Sequence, residues 1–292
     1  MKKVWIRVPG SSGNLGSGFD VAAAALGVYL ELELEVVPKA QGMPYQPKNL
    51  IVRTAWPLLQ KAFPKNGFRF RSKDGIPMGK GLGSSAAARL AALVAARLLT
   101  KREDHDEETL TQAARLEGHP DNAAASLYGG FCLSWFAGGK VQAYSRKMPR
   151  ELAAVICIPS FNLPTEKARR ILPKSVPRQD AVFNLGRLAS LFCALETKQF
   201  GQLKSALEDR LHQPYRARLI PGLNQVIESA LKSGALGACL SGAGPSVLAV
   251  VDQRKDPGAI GEAMERAFAG RRIQSRAQVY LFDNKGFKSE RN

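Results

Sequence analysis

The stretch Pro77-Met78-Gly79-Lys80-Gly81-Leu82-Gly83-Ser84-Ser85-Ala86-Ala87 constrains this chain most. A glycine-rich turn there runs straight into an Ala/Leu-rich segment, Ala86 to Leu99, that reads as a helix. Glycines let successive backbone N–H groups turn to one side. The first turn of the following helix adds unpaired N–H groups at the positive end of its dipole. Such a loop cradles an anion, and phosphate is its natural guest. Two familiar phosphate loops do not fit. A P-loop would need Gly at Asp74 and Ser or Thr at Gly81, and the dinucleotide fingerprint would need Gly at Ser84.

The 292 residues, 45% hydrophobic and 23% charged, suffice for one large or two ordinary globular domains. The net charge of +17 favours polyanionic partners, and between Arg53 and Arg102 the one acid is Asp74. Nucleic acid is the rival partner for such a chain. Yet the basic surplus is spread along the sequence, no nucleic-acid module is recognisable, and Glu103 to Glu108 is strongly acidic. The charge therefore reads as attraction for a small phosphate-bearing ligand and as solubility, with no nucleic-acid partner expected. Cys132, Cys157, Cys193 and Cys239 stand far apart in apolar settings without a Cys-x-x-Cys pair, so buried free thiols are expected rather than zinc or redox chemistry. Arg7 and Pro9 interrupt the first apolar run, and no segment reaches the length of a membrane span. A cytoplasmic protein without membrane association is expected.

Along the chain, strand and helix signals alternate. Val28 to Val37 sets Glu31, Glu33 and Glu35 between apolar residues, which is a half-buried strand. Ile51 to Phe63 reads as a helix, Phe68 to Lys73 as a strand, and Thr109 to Glu117 as a short helix. A strand begins at Gly129-Gly130-Phe131, and Glu151 to Pro159 opens what reads as a second domain. Helices at Asp180–Glu196, Gly222–Gly234 and Ala259–Ala269 and strands at Ala238–Ser241 and Ser246–Val251 follow. Segment Val8–Asp20, rich in Ser, Asn and Gly, reads on its own as turns.

The pattern Pro-x-x-x-Gly-Leu-Gly-Ser-Ser-Ala-Ala resembles the ATP loop of the GHMP kinases. Further segments resemble homoserine kinases in particular. Pro9-Gly10-Ser11-Ser12-Gly13-Asn14-Leu15-Gly16-Ser17-Gly18-Phe19-Asp20 is close to that family's opening motif, with Gly for Ala at 10 and 13 and Ser for Pro at 17. Glu117-Gly118-His119-Pro120-Asp121-Asn122 matches its acceptor segment. Ile158 to Pro173 and Asp209 to Arg216 match its amino-acid-binding stretches, and Gly237 to Ser246 the superfamily's third motif.

The resemblance implies an α+β GHMP kinase fold. Residues 1–150 would form a domain like the second domain of ribosomal protein S5, residues 151–292 a ferredoxin-like domain, and the site would lie between them. It implies ATP over Pro77 to Ala87 with adenine near Asn49, and Mg²⁺ held by Ser85 and Glu117. The acceptor, L-homoserine, would lie against Asn14, Asp20, His119, Asn122, Thr165, Arg169 and Arg216, with both arginines on its carboxylate and Asp20 on its ammonium. Lys80, Asn14 and Asn122 would serve the transfer, and Asp121 is a candidate general base that could equally only orient its neighbours. The same resemblance implies a homodimer. Two alternatives stay open: a GHMP kinase acting on mevalonate or a sugar, and a non-catalytic nucleic-acid-binding protein on the same scaffold.

Overall fold

Period-two alternation builds the first layer. Strand β1 (Lys2–Ser12) pairs antiparallel with the long β2 (Ala22–Pro38). Leu30, Leu32 and Leu34 of β2 point into the core, while Glu33 and Glu35 meet Lys3, Arg71 and Arg69 from the neighbouring strands on the outer face. Such half-exposed pairs fix register more than they add stability. Helix α1 (Leu50–Ala62), strand β3 (Asn66–Asp74) and helices α2 (Ser84–Thr100), α3 (Asp106–Glu117) and α4 (Asp121–Tyr128) follow, then hairpin strands β4 (Phe131–Ala137) and β5 (Lys140–Arg146). The computed structural model describes residues 2–101 and 106–291; Glu103 and Asp104, at the head of the acidic stretch, lie outside them.

A second sheet begins with β6 (Leu152–Pro159). After it come α5 (Thr165–Arg170), α6 (Arg178–Glu196), the short α7 (Leu203–Ala206) and α8 (Gln213–Arg216), and α9 (Leu223–Lys232). Strands β7 (Gly237–Leu240) and β8 (Val247–Asp252), α10 (Pro257–Ala269), β9 (Ser275–Leu281) and β10 (Lys288–Arg291) complete the chain. The second sheet runs β7-β8-β6-β9, all antiparallel, with α9 and α10 packed on it. That order is ferredoxin-like. The first sheet has six strands in the order β10-β1-β2-β4-β5, with β3 also on β2. Strand β10 thus returns to the first sheet, and the chain's tail does not stay with the lobe that precedes it.

Strand β6 is buried on both faces, and its alternation divides it between two cores. Ala153, Val155 and Cys157 face the helices of the second lobe, whereas Leu152, Ala154 and Ile156 join the large core of the first. Helix α2 lies in that large core, buried along nearly its whole length. Its many alanines let α1 and β1 approach closely.

The first motif is only partly loop, because Lys2–Ser12 is strand and the turn is confined to residues 13–21. Asp121-Asn122, readable as a cap, opens a true helix. Strands β1, β5, β9 and β10 were not legible as such, being short or mixed in polarity. Three of the four cysteines are buried as expected, but Cys193 is exposed on α6. Among the described residues no helix is long and apolar enough to cross a membrane.

Leu90 sits at the centre of α2 with 0% exposure. Leu90→Ala should destabilise the fold by about 3 kcal/mol, because the rigid neighbours cannot close the void. Urea denaturation should show a lower midpoint at unchanged slope.

Candidate active site

The glycine-rich loop and the start of α2 form one wall of a cleft, and Thr165, Arg169, Arg216, Gly242 and Ala243 of the second lobe form the other. Glycine is required here for close approach as well as conformation. Gly81 (φ 76°) and Gly83 (φ 72°) are left-handed, and a Cβ would strike the Ser241 carbonyl at the first and the Ser11 hydroxyl at the second. Ser241 Oγ donates to the Gly81 carbonyl at 2.9 Å, and Ser11 N donates to the Leu82 carbonyl at 3.0 Å. The loop is thereby pinned between the first and third motifs. Gly83 then starts α2, so Ser84, Ser85 and Ala86 turn the helix's open N-terminal end into the cleft.

The floor is polar and tightly bonded. Asn14 (φ 50°) and Asp20 (φ 55°) are left-handed residues, and Asp20 N donates to Asn14 Oδ1 at 2.8 Å. Asn122 Nδ2 donates to Ser11 Oγ at 3.0 Å. Asn14, His119 and Asn122 face the cleft. Asp121 does not. It is fully buried, with Oδ2 accepting from Asn14 N at 3.0 Å and Oδ1 2.5 Å from His119 Nδ1. Both oxygens are hydrogen-bonded behind the cleft lining, so of the two readings open for Asp121, general base or orienting residue, the packing favours the second. Burial works to raise its proton affinity, but the His119 contact and backbone donors lower it overall. Burial likewise disfavours charge on His119, yet Asp121 outweighs it and raises the imidazole above its ordinary 6.5.

On the opposite wall, Arg169 forks onto Asp20, Nη2 to Oδ1 at 2.5 Å and Nη1 to Oδ2 at 3.0 Å. Arg216 is wholly buried. Its Nε donates to the Ala168 carbonyl at 3.2 Å and Nη1 to the Gly242 carbonyl at 3.1 Å, while Nη2 is buried without a partner. Nη1 also lies 3.2 Å from His212 Nδ1, and His212 Nε2 lies 2.9 Å from the Gly16 carbonyl. A guanidinium only donates and a carbonyl only accepts, so His212 is neutral with its proton on Nε2. Burial lowers its proton affinity, in agreement. Burial, then repulsion from Arg169, pushes Arg216 down to about 10, which leaves it charged at neutral pH.

Asp209 fixes this corner by accepting from the backbone N–H groups of Leu211, His212 and Gln213. Phe19 stacks on His212 and lies under both guanidiniums, 5.9 Å from Arg169 and 5.5 Å from Arg216. Sequence reasoning missed Phe19, Asp209 and His212 as site builders; their one signal was membership of the motifs.

Ser85 Oγ donates to Glu117 Oε1 at 2.6 Å, and Arg89 Nε lies 2.8 Å from the same oxygen. A hydroxyl and a carboxylate at the phosphate loop are the hard oxygen donors that Mg²⁺ takes when phosphates and water complete its shell. Among the described residues no group of three or more His, Cys, Asp or Glu side chains could hold a metal by itself.

Other expected site residues lie elsewhere. Lys80 donates from Nζ to the carbonyls of Pro159, Ser160 and Phe161 and does not line the cleft, so it is not aimed at a transferring phosphoryl group. Asn49 caps α1, its Oδ1 accepting from Val52 N at 3.2 Å, and stays outside the cleft. Met78 points to solvent at 74% exposure, and Ala87 is buried in α2.

The family model described as GHMP kinases N terminal domain matches residues 49–130, and that described as GHMP kinases C terminal matches 188–270. The homoserine kinase of Persephonella marina is 35% identical over 99% of both chains, and that of Solibacter usitatus 42% identical over 83% of both. A crystal structure of homoserine kinase from Cytophaga hutchinsonii superposes with a TM-score of 0.86 at 28% identity, covering 99% of this chain and 97% of that one. The L. major mevalonate kinase structure shares the fold alone, with a TM-score of 0.68 at 17% identity over 96% of each chain. Two antiparallel lobes meeting over a glycine-rich phosphate loop define a small-molecule kinase of the GHMP class. Within that class, the chain belongs to the homoserine kinase family.

The His119–Asp121 pair gives a pH-dependent expectation. Because the folded-state value of His119 is raised, the charged pair contributes fully below pH 6.5 and fades as pH rises through that folded value. His119→Gln should therefore lower the urea midpoint more at about pH 6 than at about pH 9. An equal loss at both would deny the pair a charge-dependent role.

Proposed function

We propose that this protein transfers the γ-phosphoryl group of ATP to the side-chain hydroxyl of L-homoserine, releasing ADP and O-phospho-L-homoserine for threonine synthesis. The observation that carries the assignment is the charge arrangement of the second-lobe wall. A buried guanidinium with an unpartnered nitrogen, Arg216, stands close to an Arg169–Asp20 pair that is two-thirds buried. An unsatisfied buried donor is costly, and an anionic guest removes that cost. A zwitterion can replace the Arg169–Asp20 contact with two of its own, ammonium on Asp20 and carboxylate on Arg169 and Arg216. A ligand bearing only one charge leaves the other partner stranded. Mevalonate and sugars lack the ammonium.

In this reading the ATP phosphates lie over Gly79 to Ser85, held by backbone N–H groups and the end of the α2 dipole. Asn14 and Asn122 flank the acceptor hydroxyl, and Thr165 sits at the amino-acid end. The oxygen of homoserine forms a bond to the γ-phosphorus as the bond to the β–γ bridging oxygen breaks. Since both oxygens of Asp121 are hydrogen-bonded, to Asn14 N and to His119 Nδ1, the hydroxyl proton leaves to the transferred phosphoryl group or to water. A loose transition state tolerates this, because the hydroxyl needs little deprotonation before transfer. Ser85 and Glu117 are assigned to Mg²⁺, which when bound neutralises charge on the polyphosphate. The same reading sets the enzyme in the cytoplasm, in keeping with its free thiols, and pairs two copies of it.

ATP consumption with L-homoserine, L-threonine, L-serine and mevalonate side by side tests the assignment; turnover greatest with mevalonate, or equal with all four, would overturn it. Arg216→Lys replaces a fork by a point charge. The loss of about 1.5 to 3 kcal/mol should appear as a roughly ten- to hundredfold fall in kcat/KM for homoserine. Turnover of 3-aminopropanol, which has no carboxylate, should fall far less. Equal losses for both acceptors would assign Arg216 to the fold alone.

Glu117→Gln should lower kcat and raise the Mg²⁺ concentration that gives half-maximal rate by about tenfold or more, as a neutral amide is a weak ligand for a hard cation. An unchanged magnesium titration would leave Glu117 as a partner of Ser85 and Arg89 only.

A further inference from the structure

Lys80 stands in the middle of the phosphate loop, yet its ammonium turns across to the other lobe. Nζ donates to the carbonyls of Pro159 at 2.8 Å, Ser160 at 3.0 Å and Phe161 at 2.8 Å. An ammonium has three donors and no acceptor, so three carbonyls use its capacity in full. Those carbonyls belong to the end of β6 and the turn that leads through Asn162, Leu163 and Pro164 into α5. That helix carries Thr165 at its start and Arg169 one turn on, both in the cleft wall. The two turns also lie close together, since a Cβ added to Gly79 would come within 3.6 Å of the Asn162 side chain. Beyond the turn, Leu163 and Ala168 are buried in the core of the second lobe, so the segment follows its anchor rather than swinging freely.

We propose that Lys80 is a positioning residue: its ammonium ties the phosphate loop to the 159–164 turn and so fixes how far the phosphate cradle stands from the amino-acid wall on α5. The inference rests on the reading that Thr165 and Arg169 face the amino acid. Loop and third motif are already joined through Ser241 and Gly81, which holds the nucleotide side of the cleft. The Lys80 bonds hold the acceptor side. In-line transfer depends on that spacing, and small displacements of an oriented acceptor cost large factors in rate.

Lys80→Met keeps the length and apolar stem but removes all three donors. Calorimetry with a non-hydrolysable ATP analogue plus Mg²⁺ should give an affinity within about twofold of the wild type, because the ammonium turns away from the cleft and the loop stays pinned through Gly81 and Ser241. L-homoserine should bind about tenfold more weakly, and kcat with homoserine should fall by at least that factor through misplacement. Hydrogen exchange of the ligand-free protein should quicken in residues 77–84 and 159–170 and stay unchanged elsewhere. Nucleotide affinity falling as far as that for homoserine would overturn the proposal and return Lys80 to the phosphates. Unchanged exchange and unchanged homoserine binding would overturn it too. Should Lys80→Met fold poorly, Lys80→Arg keeps the charge without the compact three-donor head and should show the same split between ligands in smaller measure. A wild-type protein that does not bind homoserine would defeat the substrate assignment, while the exchange comparison would still test the tether.

Discussion

Everything in this structure is organised by the close approach of three backbone segments at Gly81 and Gly83. The phosphate loop lies so near the Ser241 carbonyl and the Ser11 hydroxyl that no side chain fits at either glycine. The contacts that exclude a Cβ also align the elements. Ser11 lies at the end of β1, Ser241 follows β7 of the other sheet, and Gly83 is the N-cap of α2. The helix that offers its N-terminal N–H groups to phosphate is thus held against both lobes by the residues just before its first turn. Its alanine-rich body then packs between α1 and β1 with little side-chain freedom to lose.

Charge is arranged with the same economy. Arg216 is kept in the protein interior by two carbonyls, by a neutral His212 whose tautomer is fixed by Gly16, and by the face of Phe19. These neighbours solvate the guanidinium without neutralising it, so its field stays directed at the cleft. Arg169, less buried, is neutralised by Asp20. Among the described residues Arg216 has no carboxylate in contact and Arg169 is paired, and in the proposed reading an amino-acid zwitterion would satisfy both together. A plain carboxylate would compete with Asp20 for Arg169 and leave the acid without a partner.

How much of this was legible in the sequence depends on the range of the interaction. The period-two glutamates of β2, the helical run after Gly83 and the helices of the second lobe are local patterns, and they appear within a few residues of where sequence places them. Strand β10 pairs with β1 across almost the whole chain, and four residues of mixed polarity carry no signal of it. At the site, motif membership identified Asn14, Glu117, His119, Thr165, Arg169 and Arg216 as neighbours of the cleft. It did not show that the side chains of Lys80 and Asn49 lie outside the cleft lining, or which of two open readings the packing of Asp121 favours. A lysine inside a phosphate loop is read as a phosphate ligand, and only the fold shows three carbonyls converging on it from residues 79 to 81 positions away. The resemblance left Asp121 either a base or an orienting residue, and only the fold shows its complete burial with both oxygens hydrogen-bonded.

The burial of Asp121 bears on how the transfer step is driven. Asp121 lies behind the cleft lining with each carboxylate oxygen hydrogen-bonded, one to Asn14 N and one to His119 Nδ1, the arrangement of an orienting residue rather than of an exposed base. What the cleft offers is the N-terminal end of α2 and the charged Arg216, with His119 hydrogen-bonded to Asp121 beside them. Such an environment favours charge building on phosphoryl oxygens and does little for a developing alkoxide, which is the balance a loose phosphoryl-transfer transition state requires. In the proposed reading the acceptor lies against both lobes, Asp20 and Asn122 of the first and Arg169 and Arg216 of the second, so the rate would depend on how the lobes stand against each other, and a contact that fixes one against the other would position the reaction without touching either substrate.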